Sequence, residues 1–145
     1  MFEHFTQRAR RCIFLARQAV SEYGGMTIET EHVLIAILRE DANIIERFLP
    51  SKTNDEIRAE VEKGIVIKPK IPITLDIPVS PESNRILRLA LEEVELLRHR
   101  LVDIDDLLLG TVREENGKAG QILRSAGLNV VAMRQQLSLG EAETE

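Results

Sequence analysis

The sequence predicts an all-α fold made of two tandem four-helix repeats, about eight helices in all, joined by an extended proline-containing linker. Thr6–Leu49 aligns with Ser80–Leu123 without a gap, each residue matching one 74 positions further on. A repeat this long indicates one supersecondary unit used twice. Within each copy the apolar residues recur at helical spacing. The segment between the copies contains prolines, which forbid a helix there.

The first copy predicts four helices from local signals. Thr6 is a suitable N-cap for the first helix, which ends at Gly24 because glycine accepts the left-handed conformation of a helix C-terminus. Thr30 precedes the second helix, and Pro50 closes the short third one. The predicted helices are Thr6–Tyr23, Glu31–Arg39, Asn43–Leu49 and Asn54–Lys63.

The second copy predicts the same plan, and Ser80 followed by Pro81 is a favoured start for its long helix. We expect one domain over residues 1–139, with repeat one at about 2–64, a linker at 65–79 and repeat two at about 80–139. Residues 140–145 are predicted to form an acidic disordered tail. The predicted helices of this copy are Ser80–Arg98, Ile104–Glu114, Lys118–Ala126 and Asn129–Leu137.

Composition excludes several classes of function. The 145 residues carry a net charge of −5, and only 3% are aromatic with no tryptophan. This composition argues against a nucleic-acid partner. No run is long and apolar enough to predict a membrane span, and the single cysteine, Cys12, fits a reducing compartment. We therefore expect a cytoplasmic protein without a membrane partner.

The sequence predicts no enzyme. It contains no phosphate-binding glycine-rich motif with lysine, no metal-ligand spacing and no paired nucleophile and base, so no cofactor or metal is expected. The acidic cluster Asp103–Asp106 could do acid–base work, but nothing near it supplies a nucleophile. Cys12 is interpreted as a buried structural thiol and His32 as a packed, hydrogen-bonded histidine. The run of Glu92, Glu93 and Glu95 is interpreted as a solvated helix face.

Three segments carry a resemblance to a known family. Phe5-Thr6-Gln7-Arg8-Ala9-Arg10, Thr30-Glu31-His32-Val33-Leu34 and Arg39-Glu40, with the plan repeated in the second copy, resemble the N-terminal repeat domain of Clp unfoldases, most closely the ClpC type. The resemblance covers nearly the whole chain. It implies two four-helix repeats related by a pseudo-two-fold axis. It also implies a protein that docks substrates or adaptor proteins onto an unfoldase feeding a protease.

The resemblance further implies a small guanidinium or phosphoarginine pocket in each repeat. The carboxylate that takes the guanidinium would be Glu31, next to Thr30, in the first copy and Asp105 in the second. The phosphate would lie near the start of the preceding long helix, at Thr6 or Ser80, where free amides favour an anion.

Two functions remain open from the sequence. The first is a non-catalytic module that docks substrates or adaptors of the Clp system through these pockets. The alternative is a free-standing accessory factor that binds the Clp ATPase ring or the protease core. Its contact surfaces would be the Ile65–Val79 linker and the second site, where Asp105-Asp106 replaces the Glu31-His32 of the first copy.

Overall fold

The described part of the chain is helical throughout its core, as predicted. The computed structural model describes residues 2–66, 68–70, 76–98 and 101–144, with side chains described as far as residue 138. A short 3-10 turn at Phe2–His4 precedes eight α-helices in these residues. They are α1 Gln7–Tyr23, α2 Thr30–Glu40, α3 Ile44–Phe48, α4 Asn54–Gly64, α5 Pro81–Leu97, α6 Ile104–Arg113, α7 Lys118–Ala126 and α8 Val130–Thr144.

The starts of the two long helices follow the predicted capping chemistry. The Thr6 hydroxyl oxygen accepts a hydrogen bond from the Ala9 amide at 3.1 Å, and the Ser80 hydroxyl accepts one from the Ser83 amide at the same distance. Each bond satisfies an amide that has no partner inside its own helix. The N-caps of α1 and α5 are thus confirmed.

Most helix boundaries lie within a residue of the predicted ones, and two of the differences concern the start of α2 and the end of α8. The N-cap of α2 is Glu29, so Thr30 lies inside the helix as its first residue. At the other end of the chain, α8 continues past its predicted end at Leu137 into the segment predicted to be a tail. Alanine and glutamate in this segment favour a helix, and no proline interrupts it.

The segment before the long helix of each repeat pairs with the segment before the second helix of the other repeat. Phe5, just before α1, forms a parallel bridge with Val102, just before α6, and Ile28, just before α2, bridges Val79, just before α5. The sequence offset that maps Phe5 onto Val79 also maps Ile28 onto Val102. Exchanging the repeats therefore exchanges the two bridges, which is what an approximate two-fold axis between the repeats requires.

The backbone hydrogen bonds at these bridges repeat the same exchange. The Thr6 amide donates to the Val102 carbonyl at 2.8 Å, and the Ser80 amide donates to the Ile28 carbonyl at 3.0 Å. Each long helix therefore begins against the segment that leads into the second helix of the other repeat. This geometry places α1 beside the start of α6, and α5 beside the start of α2.

The core lies around α2 and α6, which each pack against the long helix of their own repeat. Gly110 allows α6 to approach α5 closely, since a β-carbon at this position would lie 2.7 Å from the Ile86 carbonyl oxygen. Burial of apolar side chains in this core is the main favourable contribution to folding. The largest fully buried side chains are Phe5, Leu34, Ile35, Ile37, Ile44, Ile45, Ile57, Ile86, Ile104, Leu107, Leu108 and Leu109.

The linker is extended where the structure describes it. The Lys68 amide donates to the Tyr23 carbonyl at 3.1 Å, and the Gly25 amide donates to the Pro69 carbonyl at 3.2 Å. Gly24 has a φ of +85°, and a β-carbon there would collide with the Lys68 carbonyl oxygen, so this turn requires glycine. Positions 67 and 71–75, which include Pro72, lie outside the described residues. None of the described helices is long and apolar enough to cross a membrane.

One predicted surface residue is buried instead. The Glu93 side chain has no exposed area, and its carboxylate accepts hydrogen bonds from Arg113 of α6 at 3.2 Å and from Arg134 of α8 at 3.0 Å. The interpretation of this residue as part of a solvated face is wrong. Two guanidinium groups compensate the cost of burying the carboxylate.

Candidate functional site

The first candidate site lies at the start of α2, beside the turn after α1, the linker and Lys118 at the start of α7. Its central acid is Glu31, which is partly exposed and lines a cleft of about 430 Å³. We call this cleft the Glu31 pocket. Its walls come from the turn after α1, the start of α2, the end of α4 and the linker: Gly24, Gly25, Met26, Thr27, Glu29, Glu31, His32, Gly64, Ile65, Val66, Lys68, Pro69 and Lys118.

The Glu31 carboxylate is oriented by a short chain of contacts. The buried Thr30 hydroxyl donates to Glu31 Oε1 at 3.0 Å, and it accepts a hydrogen bond from the Ala119 amide at the start of α7 at 3.4 Å. Gly117 makes this approach possible, because a β-carbon there would lie 2.6 Å from Thr30 Cγ2. The buried Thr30 therefore fixes the orientation of the Glu31 carboxylate, which faces the cleft.

The Glu31 pocket carries charges of both signs. Burial raises the pKa of Glu29, and the neighbouring carboxylates of Glu31 and Glu82 raise it further. Lys68 opposes that effect, and Lys118 also lines the cleft. Within the described residues, no cation forms an ion pair with Glu31. The pocket thus offers a carboxylate to a ligand cation, with two ammonium groups in its walls.

His32 has a structural role at the same helix start. Its Nδ1 accepts a hydrogen bond from the Glu29 amide at 2.9 Å, so this ring nitrogen carries no proton. Burial lowers the pKa of His32 and favours the neutral ring. In the second repeat, Asp106 Oδ2 accepts the equivalent bond from the Asp103 amide, also at 2.9 Å. The predicted packed histidine is therefore a helix cap.

The second candidate site forms where the start of α6 meets the start of α1. Asp105 Oδ1 lies 2.8 Å from Nη2 of Arg47, and Asp41 Oδ2 lies at the same distance from that nitrogen. We call the two acids, Asp41 and Asp105, the Asp105 cluster. Burial raises the pKa of Asp105, while the Arg47 guanidinium acts in the opposite direction. The carboxylate that corresponds to Glu31 is therefore already paired with a cation of the chain.

The side chains at the start of each long helix bond to the other repeat: those of α1 to the segment before α6, and those of α5 to the segment before α2. The Thr6 hydroxyl donates to Asp103 Oδ1 at 3.0 Å, and the Ser83 hydroxyl donates to the Ile28 carbonyl at 2.9 Å. The prediction placed Thr6 with Glu31 and Ser80 with Asp105, whereas the structure places Thr6 in the half with Asp105. Sequence spacing gives no sign of this exchange, because it arises only when the repeats pack together.

The remaining reactive side chains have structural partners. Cys12 is buried against the Ala36 carbonyl, and burial raises the pKa of its thiol to about 12. Asn54 was not singled out from the sequence, yet it accepts from the Ile45 amide at 3.0 Å and donates to the Leu38 carbonyl at 3.1 Å. No group of three or more His, Cys, Asp or Glu side chains in the described part of the chain could hold a metal ion.

Curated relatives resemble this chain along nearly its full length. It is 34% identical over 139 residues to a ClpA homolog of Cyanidium caldarium, described as an ATP-binding subunit of the ATP-dependent Clp protease. It is also 34% identical over 139 residues to the chloroplastic chaperone protein ClpC2 of Oryza sativa subsp. japonica. These alignments cover 94% of this chain but only 16% and 15% of the two relatives. The chain therefore spans a small part of their length.

Solved structures share the fold. The N-terminal domain of ClpD from Arabidopsis thaliana has a TM-score of 0.72 at 24% identity, covering 98% of this chain and 99% of that one. The Hsp104 N-terminal domain of Candida albicans also gives 0.72, at 19% identity, covering 92% of this chain and 88% of its own.

A family profile matches most of the chain as well. The profile of the Clp repeat (R) N-terminal domain aligns with residues 4–126, which include both helix-start sites. The chain belongs to the Clp repeat N-terminal domain family.

Proposed function

We propose that this chain is a non-catalytic protein-binding module of the Clp unfoldase and protease system, and that the Glu31 pocket receives an arginine side chain of a docked substrate or adaptor. One observation carries the proposal. Glu31 is held in place by Thr30, faces a cleft, and has no cation of the described chain as its partner. A guanidinium group pairs well with a carboxylate because it can donate two parallel hydrogen bonds.

The pocket walls favour an arginine within a peptide over a free cation. An exposed ion pair contributes only about 0.2–1 kcal/mol, which is too little for a docking site on its own. Met26 and Val66 line the same cleft with side chains that are 74% and 72% exposed. Apolar neighbours of the arginine could cover them and supply the remaining affinity.

The two lysines make a phosphorylated arginine the better ligand. Phosphoarginine carries a guanidinium cation and a phosphate anion on one side chain. Glu31 would pair with the guanidinium, while Lys68 and Lys118 in the walls would face the phosphate. Glu29 and Glu82 act against a phosphate placed close to the start of α5, so we place it towards the lysines.

A titration with an arginine peptide tests the proposal. We would use a peptide with one arginine between leucines, with and without phosphate on the guanidinium, and measure binding by calorimetry. Glu31→Gln should weaken binding by up to about fivefold, which corresponds to about 1 kcal/mol. Glu60→Gln is the matched control, because Glu60 lies on α4 outside the Glu31 pocket and pairs with Lys63 on the surface.

Equal binding by wild type and Glu31→Gln would exclude Glu31 as the arginine receptor. The accessory-factor alternative predicts another result. The chain would then bind a Clp ring or protease core without any client, and Glu31→Gln would leave that binding unchanged. A melting temperature within the wild-type range would show that the variant is folded.

A further inference from the structure

We propose that Arg47 is an internal ligand of the Asp105 cluster, so that the second guanidinium site of this chain is already occupied and becomes available only when Arg47 is removed. The inference rests on the proposed function for its ligand class, a guanidinium group. It adds that the two repeats, although related in sequence, differ in whether their site is open.

The geometry of Arg47 is that of a bound ligand. One guanidinium nitrogen, Nη2, lies 2.8 Å from Asp41 Oδ2 and 2.8 Å from Asp105 Oδ1. The two carboxylates are 15% and 29% exposed, whereas the arginine side chain is 46% exposed. The acids therefore form the inner wall of the site, and the Arg47 guanidinium covers them from outside. Arg8 Nη2 also lies 3.6 Å from Asp41 Oδ2, whereas Arg47 is the cation paired with Asp105 among the described residues.

The backbone around Arg47 holds this side chain near its acids. Gln136 of α8 donates from Nε2 to the Arg47 carbonyl at 2.6 Å, and the guanidinium carbon lies 5.9 Å from the centre of the Phe48 ring. A group tethered in this way acts at an effective concentration on the order of millimolar or higher. A partner's arginine at lower concentration would lose the competition for Asp105.

The repeat alignment shows why the other site is open. At the offset of 74 residues, Asp105 corresponds to Glu31, and Arg47 corresponds to Gln121. Gln121 has no charge, and in the described residues it makes no hydrogen bond to Glu31. It lines a different cleft, beside Lys52 and Glu56. This difference, together with Glu82 at the position equivalent to Arg8, separates a site closed by arginines of the chain from a site open to a partner.

Substitutions at Arg47 and Asp105 test the inference. Arg47→Gln should open the Asp105 cluster, and the number of arginine peptides bound per chain should rise from one to two. Adding Asp105→Asn to this variant should return it to one. Arg47→Lys keeps a cation over the acids and should stay closed.

A second measurement reports on Asp105 directly. Titration of N-acetyl-arginine amide, followed by the amide NMR signals of Asp105 and Asp106, should shift these signals in Arg47→Gln and leave them unchanged in wild type. Absence of a shift in a folded Arg47→Gln chain would overturn the inference, even if the Glu31 pocket binds as proposed. A shift there with no binding at Glu31 would support it while contradicting the proposed function.

Discussion

At the scale of single residues, His32 and Asp106 show that one position can keep its task while its chemistry changes. Each accepts a hydrogen bond from the amide that begins its helix, one with a ring nitrogen and the other with a carboxylate oxygen. A histidine ordinarily changes its charge near neutral pH, so the cap of the first repeat can lose its acceptor on mild acidification. The groups that face it are Glu31, which raises its pKa, and Lys68, which lowers it.

Protonation of His32 should destabilise the first repeat. Burial lowers the folded-state pKa of His32 below its usual value of 6.5, so the unfolded chain takes up the proton first. The stabilising contribution is complete above pH 6.5 and is lost as the pH falls through the lower folded-state pKa. His32→Asn keeps an uncharged oxygen acceptor and should remove this dependence. Melting temperatures between pH 7.5 and 5 would measure it.

The control for this pH series is the second repeat. Asp106→Asn leaves His32 intact, so its melting temperature should fall with pH as steeply as that of wild type through this range. If His32→Asn follows the same slope as wild type, the histidine does not titrate with folding and its assignment as a neutral cap is wrong.

Glu93 marks a limit of sequence reasoning at this scale. Its neighbours along the chain are charged, which led to the prediction of a solvated face. Its spacing from Ala90 and Ile86, however, places it on the buried stripe of α5. That spacing was the available signal. Its partners Arg113 and Arg134 could not be predicted, because they come from two other helices.

At the scale of elements, the helix starts were predictable because capping is local. Thr6 and Ser80 act within three residues of themselves, so the sequence alone contains the information. The N-cap of α2 was misplaced by one residue, since Thr30 turns its hydroxyl towards Glu31 and α7. A contact with a distant helix decided that boundary.

The attachment of α8 gives a prediction about stability. Arg134 donates to both oxygens of Glu93 at 3.0 Å, and this carboxylate is fully buried. Arg134→Ala would leave Glu93 with Arg113 alone, so we expect a loss of about 1.5–3 kcal/mol in the free energy of unfolding. Urea unfolding would measure it.

Arg58 is the matched control for α8. The fourth helices align after a two-residue shift, which places Ile57-Arg58 onto Met133-Arg134. Within the described residues, Arg58 pairs with the exposed Asp55 and Glu62 alone. Arg58→Ala should change the free energy of unfolding by less than about 0.5 kcal/mol. Equal losses in the two variants would contradict the assignment of Glu93 and Arg134 as the bond that holds α8.

At the scale of the whole molecule, the repeat in the sequence predicted the architecture but not its most important consequence for the sites. The offset of 74 residues shows that one unit is used twice. It does not show that each long helix begins against the segment before the other repeat's second helix. The Phe5–Val102 and Ile28–Val79 bridges reveal this packing. The Asp105 cluster joins residues of both repeats, and the Glu31 pocket takes Lys118 from the second repeat.

The repeats also differ more at their candidate sites than their alignment indicates. Glu31 and Asp105 occupy equivalent positions, and the sequence predicted a pocket at each. The structure adds Arg47 to the second position, where it bonds to Asp105 at 2.8 Å. The chain thus combines a symmetric scaffold with one open acidic site.

The most direct measurement is an amide NMR titration of the wild-type chain with the phosphoarginine peptide. The account predicts that the largest shifts fall in residues 24–32 and at Lys118, around the Glu31 pocket, while residues 103–106 barely move. Largest shifts at residues 41–47 and 103–106, or on a surface away from both helix starts, would contradict the central claim that Glu31 is the open receptor for a partner's arginine.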